Sequence, residues 1–288
     1  MTREQAIDLK DALVNQPWRL WLAQVRTIVS IESKRNLFNL RSFWVYFLAF
    51  APTAIILIHA LFSQLRLEPV DVETRTLAGM FQFYYLRLGI FFGSLGIFTR
   101  LIRGEMIERS LHYYLLAPVR REVLLLGKFL AGSVRALVLF ESAVFLSFWM
   151  MYYPSGAAGQ QYIFDGPGAH ELLAYLGITA LAVLGYGAVF MLLSMLFKNP
   201  APPALLFMGW EAISSIMPAF LQRFSITSYL RHLMPISVPG EGLFALLTVT
   251  TEPVPAWVAV SGALILTTAV LIVSCYLMRT LEISYTTE

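Results

Sequence analysis

Residues 104–128 read GEMIERSLHYYLLAPVRREVLLLGK, a polar stretch between two long hydrophobic runs. Its basic residues are Arg109, Arg120, Arg121 and Lys128. Positive charge between two such runs is typical of the cytosolic side of a membrane protein. Pro118 cannot continue a helix but suits the first turn of the next one, so the stretch predicts two short helices that meet at Pro118. We call residues 104–128 the elbow.

The first helix of the elbow is amphipathic, and two interpretations of it are open. Its apolar residues recur at helical spacing and are Met106, Ile107, Leu111, Tyr114 and Leu115. Charged residues, among them Glu105, Glu108 and Arg109, fill the other positions. A structured, charged elbow in the cytosol predicts a docking surface for another protein. The alternative is an interfacial helix that lies on the lipid headgroups and needs no partner.

The composition places the chain among membrane proteins. Of its 288 residues, 58% are hydrophobic and only 14% are charged, and the mean hydropathy is +0.67. Soluble domains carry about 25% charged residues. We therefore predict an all-α, polytopic membrane protein whose residues 1–288 form a single transmembrane domain.

Six hydrophobic runs are long enough to cross a bilayer core of about 30 Å. The predicted spans are 43–62, 81–101, 129–152, 172–197, 201–221 and 257–277. Before them, the cytosolic segment 1–42 contains an amphipathic helix that begins at Pro17, and its Trp and Arg residues are typical of the membrane interface. Between spans five and six, segment 222–255 predicts two short external helices, the second over 243–247.

The distribution of basic residues predicts the orientation. Of the 21 lysines and arginines, fifteen fall in segments assigned to the inside and four in segments assigned to the outside. This asymmetry predicts that both termini lie in the cytosol. The first 40 residues are too charged for a cleaved signal peptide, which agrees with a cytosolic N-terminus.

The sequence lacks the residue patterns that disulfides, metal sites, redox sites and ATP-binding loops need. The single cysteine, Cys275, cannot form an internal disulfide, and there is no metal or redox motif. No Gly-x-x-x-x-Gly-Lys-[Ser/Thr] loop occurs, so the chain itself is not expected to bind ATP in that way. The net charge of +3 is unevenly placed and indicates topology, not a nucleic-acid partner. We predict no catalytic, cofactor or metal site on this chain.

Four ionisable residues fall inside the predicted spans, and they are Arg87, Arg135, Glu141 and Glu211. Each costs roughly 2.5–3.5 kcal/mol on the insertion scale and is expected to face the interior of the helix bundle. One interpretation is a polar lining for a transport pathway or a gate. The other is a structural ion pair, with Arg135 joined to Glu211 or Glu141, while Arg87 snorkels to the outer interface.

The layout resembles the membrane subunits of ABC transporters of the type-2 exporter class, the ABC-2 permeases. The resemblance covers nearly the whole chain: an interfacial N-terminal helix, six spans, and an amphipathic external segment between spans five and six. In that family the first cytosolic loop has an acidic residue, then leucines, a proline, basic residues and a lysine. The matching residues here are Glu105 or Glu108, Leu111, Leu115, Pro118, Arg120, Arg121 and Lys128. Ser110 stands where the family often has glycine or threonine.

The resemblance implies a transport subunit that is not itself an enzyme. In the family, the first cytosolic loop is a coupling helix that sits in a groove of a separate ATP-binding subunit, and two permeases enclose the pathway. ATP and magnesium would therefore bind the partner chain, and the second permease copy would be identical or different. Coupling residues would include Arg109 besides those that match the motif. The implied location is the cytoplasmic membrane of a bacterium or archaeon, and the implied direction is outward.

Two other function classes stay open. A stand-alone six-span carrier or channel would be driven by ions through Arg135, Glu141 and Glu211. An intramembrane enzyme would need a catalytic pair, and the sequence shows none. The substrate cannot be read from the sequence, because packing and interfacial belts already account for the richness in aromatic residues.

Overall fold

The computed structural model describes residues 17–36, 43–63, 69–108, 110, 114, 116–214, 217–236 and 254–280. Within these residues all regular structure is helical and no strand occurs. Five helices are long and apolar enough to cross a membrane. The prediction of an all-α chain typical of an integral membrane protein is confirmed at this level.

The first two helices differ in character. Helix α1, Trp18–Asn36, is the predicted amphipathic helix. Helix α2, Phe43–Ser63, is apolar throughout and contains Pro52. It agrees with the first predicted span to within one residue.

Helix α3, Val70–Ile107, is a continuous helical run of 38 residues. Two stretches in it are π-helical: Phe81–Ile90 and Arg100–Gly104. The predicted span 81–101 is therefore the apolar middle of a longer helix, because the flanking polar turns keep the helical backbone beyond the hydrocarbon. The last turn of α3, Glu105–Ile107, belongs to the elbow.

The third and fourth long helices follow the elbow. Helix α4, Arg121–Tyr152, begins directly after it, so the second helix of the elbow and the third predicted span are one helix. A 3₁₀ turn and a short helix, α5 (Gly156–Phe164), follow. Gly156 has φ = 56°, a left-handed conformation that glycine adopts without a steric cost. Helix α6, Gly168–Leu196, is the fourth long apolar helix.

The fifth predicted span differs from the structure. Helix α7, Ala201–Ile213, has only 13 residues, which is about 20 Å and shorter than a bilayer core of about 30 Å. Two short helices follow it: α8, Ala219–Gln222, and α9, Ile226–Arg231. Pro218 precedes α8 in an extended conformation and separates it from α7.

Helix α10, Ala256–Thr280, is the last long helix and matches the sixth predicted span. Segment 222–255, which precedes α10, was predicted to contain an amphipathic helix, and α9 confirms this. The second external helix predicted at 243–247 lies outside the described residues.

The helices pack around α4, which contacts α1, α2, α3, α6 and α10. Glycines allow the closest approaches. A Cβ added at Gly93 of α3 would lie 2.3 Å from Phe140 Cζ of α4, and one added at Gly187 of α6 would lie 2.4 Å from Phe98 Cζ of α3. Small residues that let membrane helices touch are expected at such contacts.

Candidate functional site

A fully buried lysine forms the centre of the site. Lys128 Nζ lies 2.7 Å from Glu32 Oε1 and 2.7 Å from Glu105 Oε1. The lysine side chain is 0% exposed and the two glutamate side chains are 3% and 4% exposed. We call these three residues the ion cluster.

The ion cluster joins three helices and the elbow. Glu32 comes from the amphipathic helix α1, Glu105 from the last turn of α3, and Lys128 from the second turn of α4. The Tyr114 ring of the elbow covers the ammonium group, with its centroid 4.4 Å from Nζ. An ammonium has three N–H donors, so two carboxylates and one aromatic face surround it completely.

The ion cluster fixes the relative positions of its three helices more than it adds to the net stability of the fold. A buried ion pair gives little net stability, because desolvation offsets most of the attraction. Removal of one partner is costly, since it leaves a buried charge without compensation. The end of α3, the start of α4 and the C-terminal part of α1 are thus constrained to move together.

A second set of contacts attaches the elbow to α1. The Arg120 guanidinium stacks over the Trp21 ring at 4.5 Å. Gln24 Nε2 donates to the Pro118 carbonyl at 3.2 Å. Where α1 crosses α4, a Cβ at Gly127 would lie 3.0 Å from Ile28, so the glycine allows close contact. The elbow therefore contacts α1 at Pro118, Arg120, Gly127 and Lys128.

The start of α4 is also attached to the end of α10. Arg121 Nη1 donates to the Arg279 carbonyl at 2.9 Å and, more weakly, to the Met278 carbonyl at 3.4 Å. Arg279 forms an ion pair with Glu122. The last long helix thus ends against the base of the elbow.

The predicted coupling residues separate into three groups. Glu105 and Lys128 are buried in the ion cluster, so they act from inside the protein. Glu108, Pro118 and Arg120 are exposed, and Arg121 is half-buried. Arg109, Leu111 and Leu115 lie outside the described residues.

Two exposed apolar side chains add to the outer face of the elbow. Ile107 is 71% exposed and Leu116 is 79% exposed. With Glu108 they form what we call the elbow rim. Ile107 belongs to the apolar set of the first elbow helix, and the structure exposes it at the last residue of α3.

Glu32 was absent from the predicted site. A signal for it exists in the sequence: Glu32 follows Ile28 by four residues and Val29 by three, so it falls on the apolar face of α1. A charged residue on the apolar face of an amphipathic helix requires a partner. The partner of Glu32 is Lys128, which is 96 positions away in the sequence. Sequence spacing alone therefore does not reveal this pair.

The intramembrane ionisable residues do not meet at one site. Arg87 is exposed on α3, with its guanidinium 5.4 Å from the Phe83 ring centroid. Glu141 is half-buried on α4. Among the described residues no ion pair joins Arg135 to Glu141 or to Glu211, so neither suggested pair is formed.

Glu211 instead fixes the turn before α9. Its carboxylate accepts hydrogen bonds from Ser225 Oγ (3.0 Å), Ile226 N (3.0 Å) and Thr227 N (2.7 Å). These backbone amides are the free donors at the start of a helix, where a negative charge is favourable. The buried carboxylate thus holds α9 against α7.

Comparison with known proteins adds no relative. No protein-family model and no curated protein matches this chain.

Proposed function

We propose that this chain is the membrane-spanning permease subunit of an ATP-driven exporter of the type-2 ABC class. The elbow couples it to a separate ATP-binding subunit that binds ATP and magnesium. A second permease copy completes the pathway. The proposed location is the cytoplasmic membrane of a bacterium or archaeon, with both termini in the cytosol.

The observation that supports this proposal best is the ion cluster at the base of the elbow. A coupling element must transmit the movement of its partner to the membrane-spanning helices without itself deforming. Two contacts of 2.7 Å at one buried ammonium group connect α1, α3 and α4. A purely interfacial helix lying on headgroups would need no such buried connection to two long helices.

The elbow rim supplies a surface of suitable composition for a partner. Protein interfaces combine apolar anchors with a polar margin. Ile107 and Leu116 are exposed apolar side chains, and Glu108 and Arg120 are exposed charges in the same stretch of the chain.

The six-span layout is part of the proposal and follows from parity. Five long helices alone would place the two termini on opposite sides of the membrane. Both termini in the cytosol require one more crossing, and α7 and α8 are the described segments available for it.

The test is co-purification of the tagged chain from its native membrane, followed by an ATPase assay of the eluate. We expect a separate ATP-binding protein to co-elute with the wild type. The double variant Ile107→Ser with Leu116→Ser should lose most of that partner, because both exposed anchors are removed while the ion cluster is untouched.

The control is Phe197→Ser, which removes an exposed apolar side chain from the α6–α7 turn on the same proposed side of the membrane. It should keep the partner. Gel filtration verifies that each variant is folded. A folded wild-type chain that elutes without any ATPase, from freshly prepared membranes, would contradict the proposal.

The alternative is a stand-alone ion-coupled carrier. The described contacts give it no specific support, because Glu211 has its acceptors occupied by the turn before α9. Transport without a partner ATPase would be its signature.

A further inference from the structure

Two bridges join α3 to the segment that begins with α9. At one end, Gln82 Nε2 of α3 donates to the Ile236 carbonyl at 2.8 Å. At the other end, the connection runs through Tyr186 of α6. Its ring contacts that of Phe91 of α3, with 5.2 Å between the centroids, and its hydroxyl oxygen lies 3.0 Å from Thr227 Oγ1 of α9. Residues 82–91 and 227–236 therefore extend in opposite directions between the same two bridges.

One arginine stands in the middle of each of these stretches. Arg87 lies five residues from the 82–236 bridge and four from the 91–227 bridge, and so does Arg231. The two arginines are thus at the same level, and we call them the arginine pair. Partial burial lowers the pKa of Arg231, the Arg87 charge lowers it further, and the Glu211 charge raises it. Both arginine side chains are exposed, so a ligand can reach them.

The arginine pair carries positive charge that is not compensated within the described residues. Neither arginine forms an ion pair with a residue that the structure describes. The oxygens of Glu211 already accept hydrogen bonds from the Ser225 hydroxyl and from two backbone amides of α9. His232 adds no positive charge at neutral pH, because burial and the Arg231 charge lower its pKa. Two like charges near each other are unfavourable, and a bound anion would compensate them.

The surroundings of the pair suit an anion that carries an apolar group. Arg87 precedes Glu105 of the ion cluster by eighteen residues on the same continuous helix, so the pair lies in the opposite half of the bundle. Arg87 also falls within the predicted span 81–101. The Phe83 ring is 47% exposed, and its centroid lies 5.4 Å from the Arg87 guanidinium. A ligand bound at Arg87 therefore meets an aromatic surface beside the charge.

We propose that the arginine pair binds the phosphate group of an anionic ligand. A guanidinium presents parallel N–H donors that match two oxygens of a phosphate. A phosphate has more oxygens than a carboxylate, so it can bind Arg87 and Arg231 at once. Where the ligand is a phospholipid, Phe83 contacts the hydrocarbon next to its headgroup. The site exists whether or not an ATP-binding partner docks on the elbow.

The experiment is thermal unfolding of the full chain in a zwitterionic detergent, titrated in two arms. One arm compares dioleoyl phosphatidylglycerol with dioleoyl phosphatidylcholine, and the other compares sodium phosphate with sodium chloride at equal ionic strength. A ligand that binds the folded state raises the unfolding temperature. A specific rise with phosphatidylglycerol alone identifies a lipid headgroup, and a specific rise with inorganic phosphate identifies free phosphate. No specific rise in either arm would overturn the proposal.

Variants of the pair test whether the stabilising anion binds there. Arg87→Gln and Arg231→Gln should each raise the half-saturating anion concentration by about tenfold or more, because a charge-assisted contact is lost. The matched control is Arg223→Gln, which removes an exposed arginine between α8 and α9. It should leave the half-saturating concentration unchanged. Equal weakening in the control would mean general attraction of anions and would overturn the site.

Lysine variants separate binding from folding. Arg87→Lys and Arg231→Lys keep both charges, so without the anion they should unfold close to the wild-type temperature. With the anion, their half-saturating concentrations should lie between those of the wild type and of the glutamine variants, because lysine lacks the parallel donors. Lysine variants that unfold normally and bind the anion as tightly as the wild type would contradict bidentate binding by the pair.

Discussion

Lys128 shows how one side chain organises the end of three helices. It is buried at 0% exposure and touches Glu32 and Glu105 at the same distance. Its stem is apolar and its charge is surrounded, which is the condition under which a lysine is tolerated in a core. Because both carboxylates bind the same ammonium group, a displacement of one carboxylate is transmitted to the other.

Substitution of Lys128 by methionine tests this arrangement. Two buried carboxylates would lose their shared cation, and we expect the chain to lose about 3–5 kcal/mol of stability. The measurement is unfolding in mixed micelles, followed by tryptophan fluorescence.

A triple variant separates the effect of uncompensated charge from the effect of changed packing. Lys128→Met combined with Glu32→Gln and Glu105→Gln leaves no uncompensated charge, so most of the lost stability should return. A single variant as stable as the wild type would show that the cluster does not hold the helix ends together.

At the scale of elements, glycines decide how closely the helices approach. Helix α6 contains a matched pair of them. A Cβ at Gly187 would lie 2.4 Å from Phe98 Cζ, whereas a Cβ at Gly177 would meet nothing within 4 Å. Phe98 is 0% exposed, so it has no free space into which to move.

The pair predicts opposite results for the same substitution. Gly187→Ala should destabilise the chain by about 1–3 kcal/mol through overpacking. Gly177→Ala should be neutral or stabilise it by up to about 1 kcal/mol, because alanine favours the helix. Thermal unfolding of both variants in one detergent is the measurement. Equal effects would mean that α3 and α6 do not pack as described.

The same scale shows what sequence patterns reveal and what they miss. Hydropathy located the five long helices, because burial in lipid depends on composition over about 20 residues. It predicted one span over 201–221, whereas the structure has α7 over Ala201–Ile213 and, after Pro218, the separate short helix α8. It placed Glu105 and Lys128 together in the elbow but left out Glu32, because their pairing depends on how α1 lies across α4.

The orientation of the whole molecule depends on α7. Its 13 residues are too few to cross a bilayer core alone, yet both termini on one side require an additional crossing. If α7 and α8 together cross, residues before α7 and after α8 lie on opposite sides. If α7 dips into the membrane and returns, they lie on the same side.

Cysteine labelling in intact cells distinguishes these arrangements. In a Cys275→Ser background, single cysteines replace Glu108, Asp165, Asn199 or Arg223, all exposed on the surface of the chain. A membrane-impermeant maleimide should label positions 165 and 223 from outside, and positions 108 and 199 only after permeabilisation. Labelling of 199 and 223 from the same side would make α7 re-entrant, place the C-terminus opposite the elbow and contradict the six-span exporter layout. Asp165 is separated from Glu108 by α4 and from Asn199 by α6, one long helix each, so its labelling fixes which side is outside in either case.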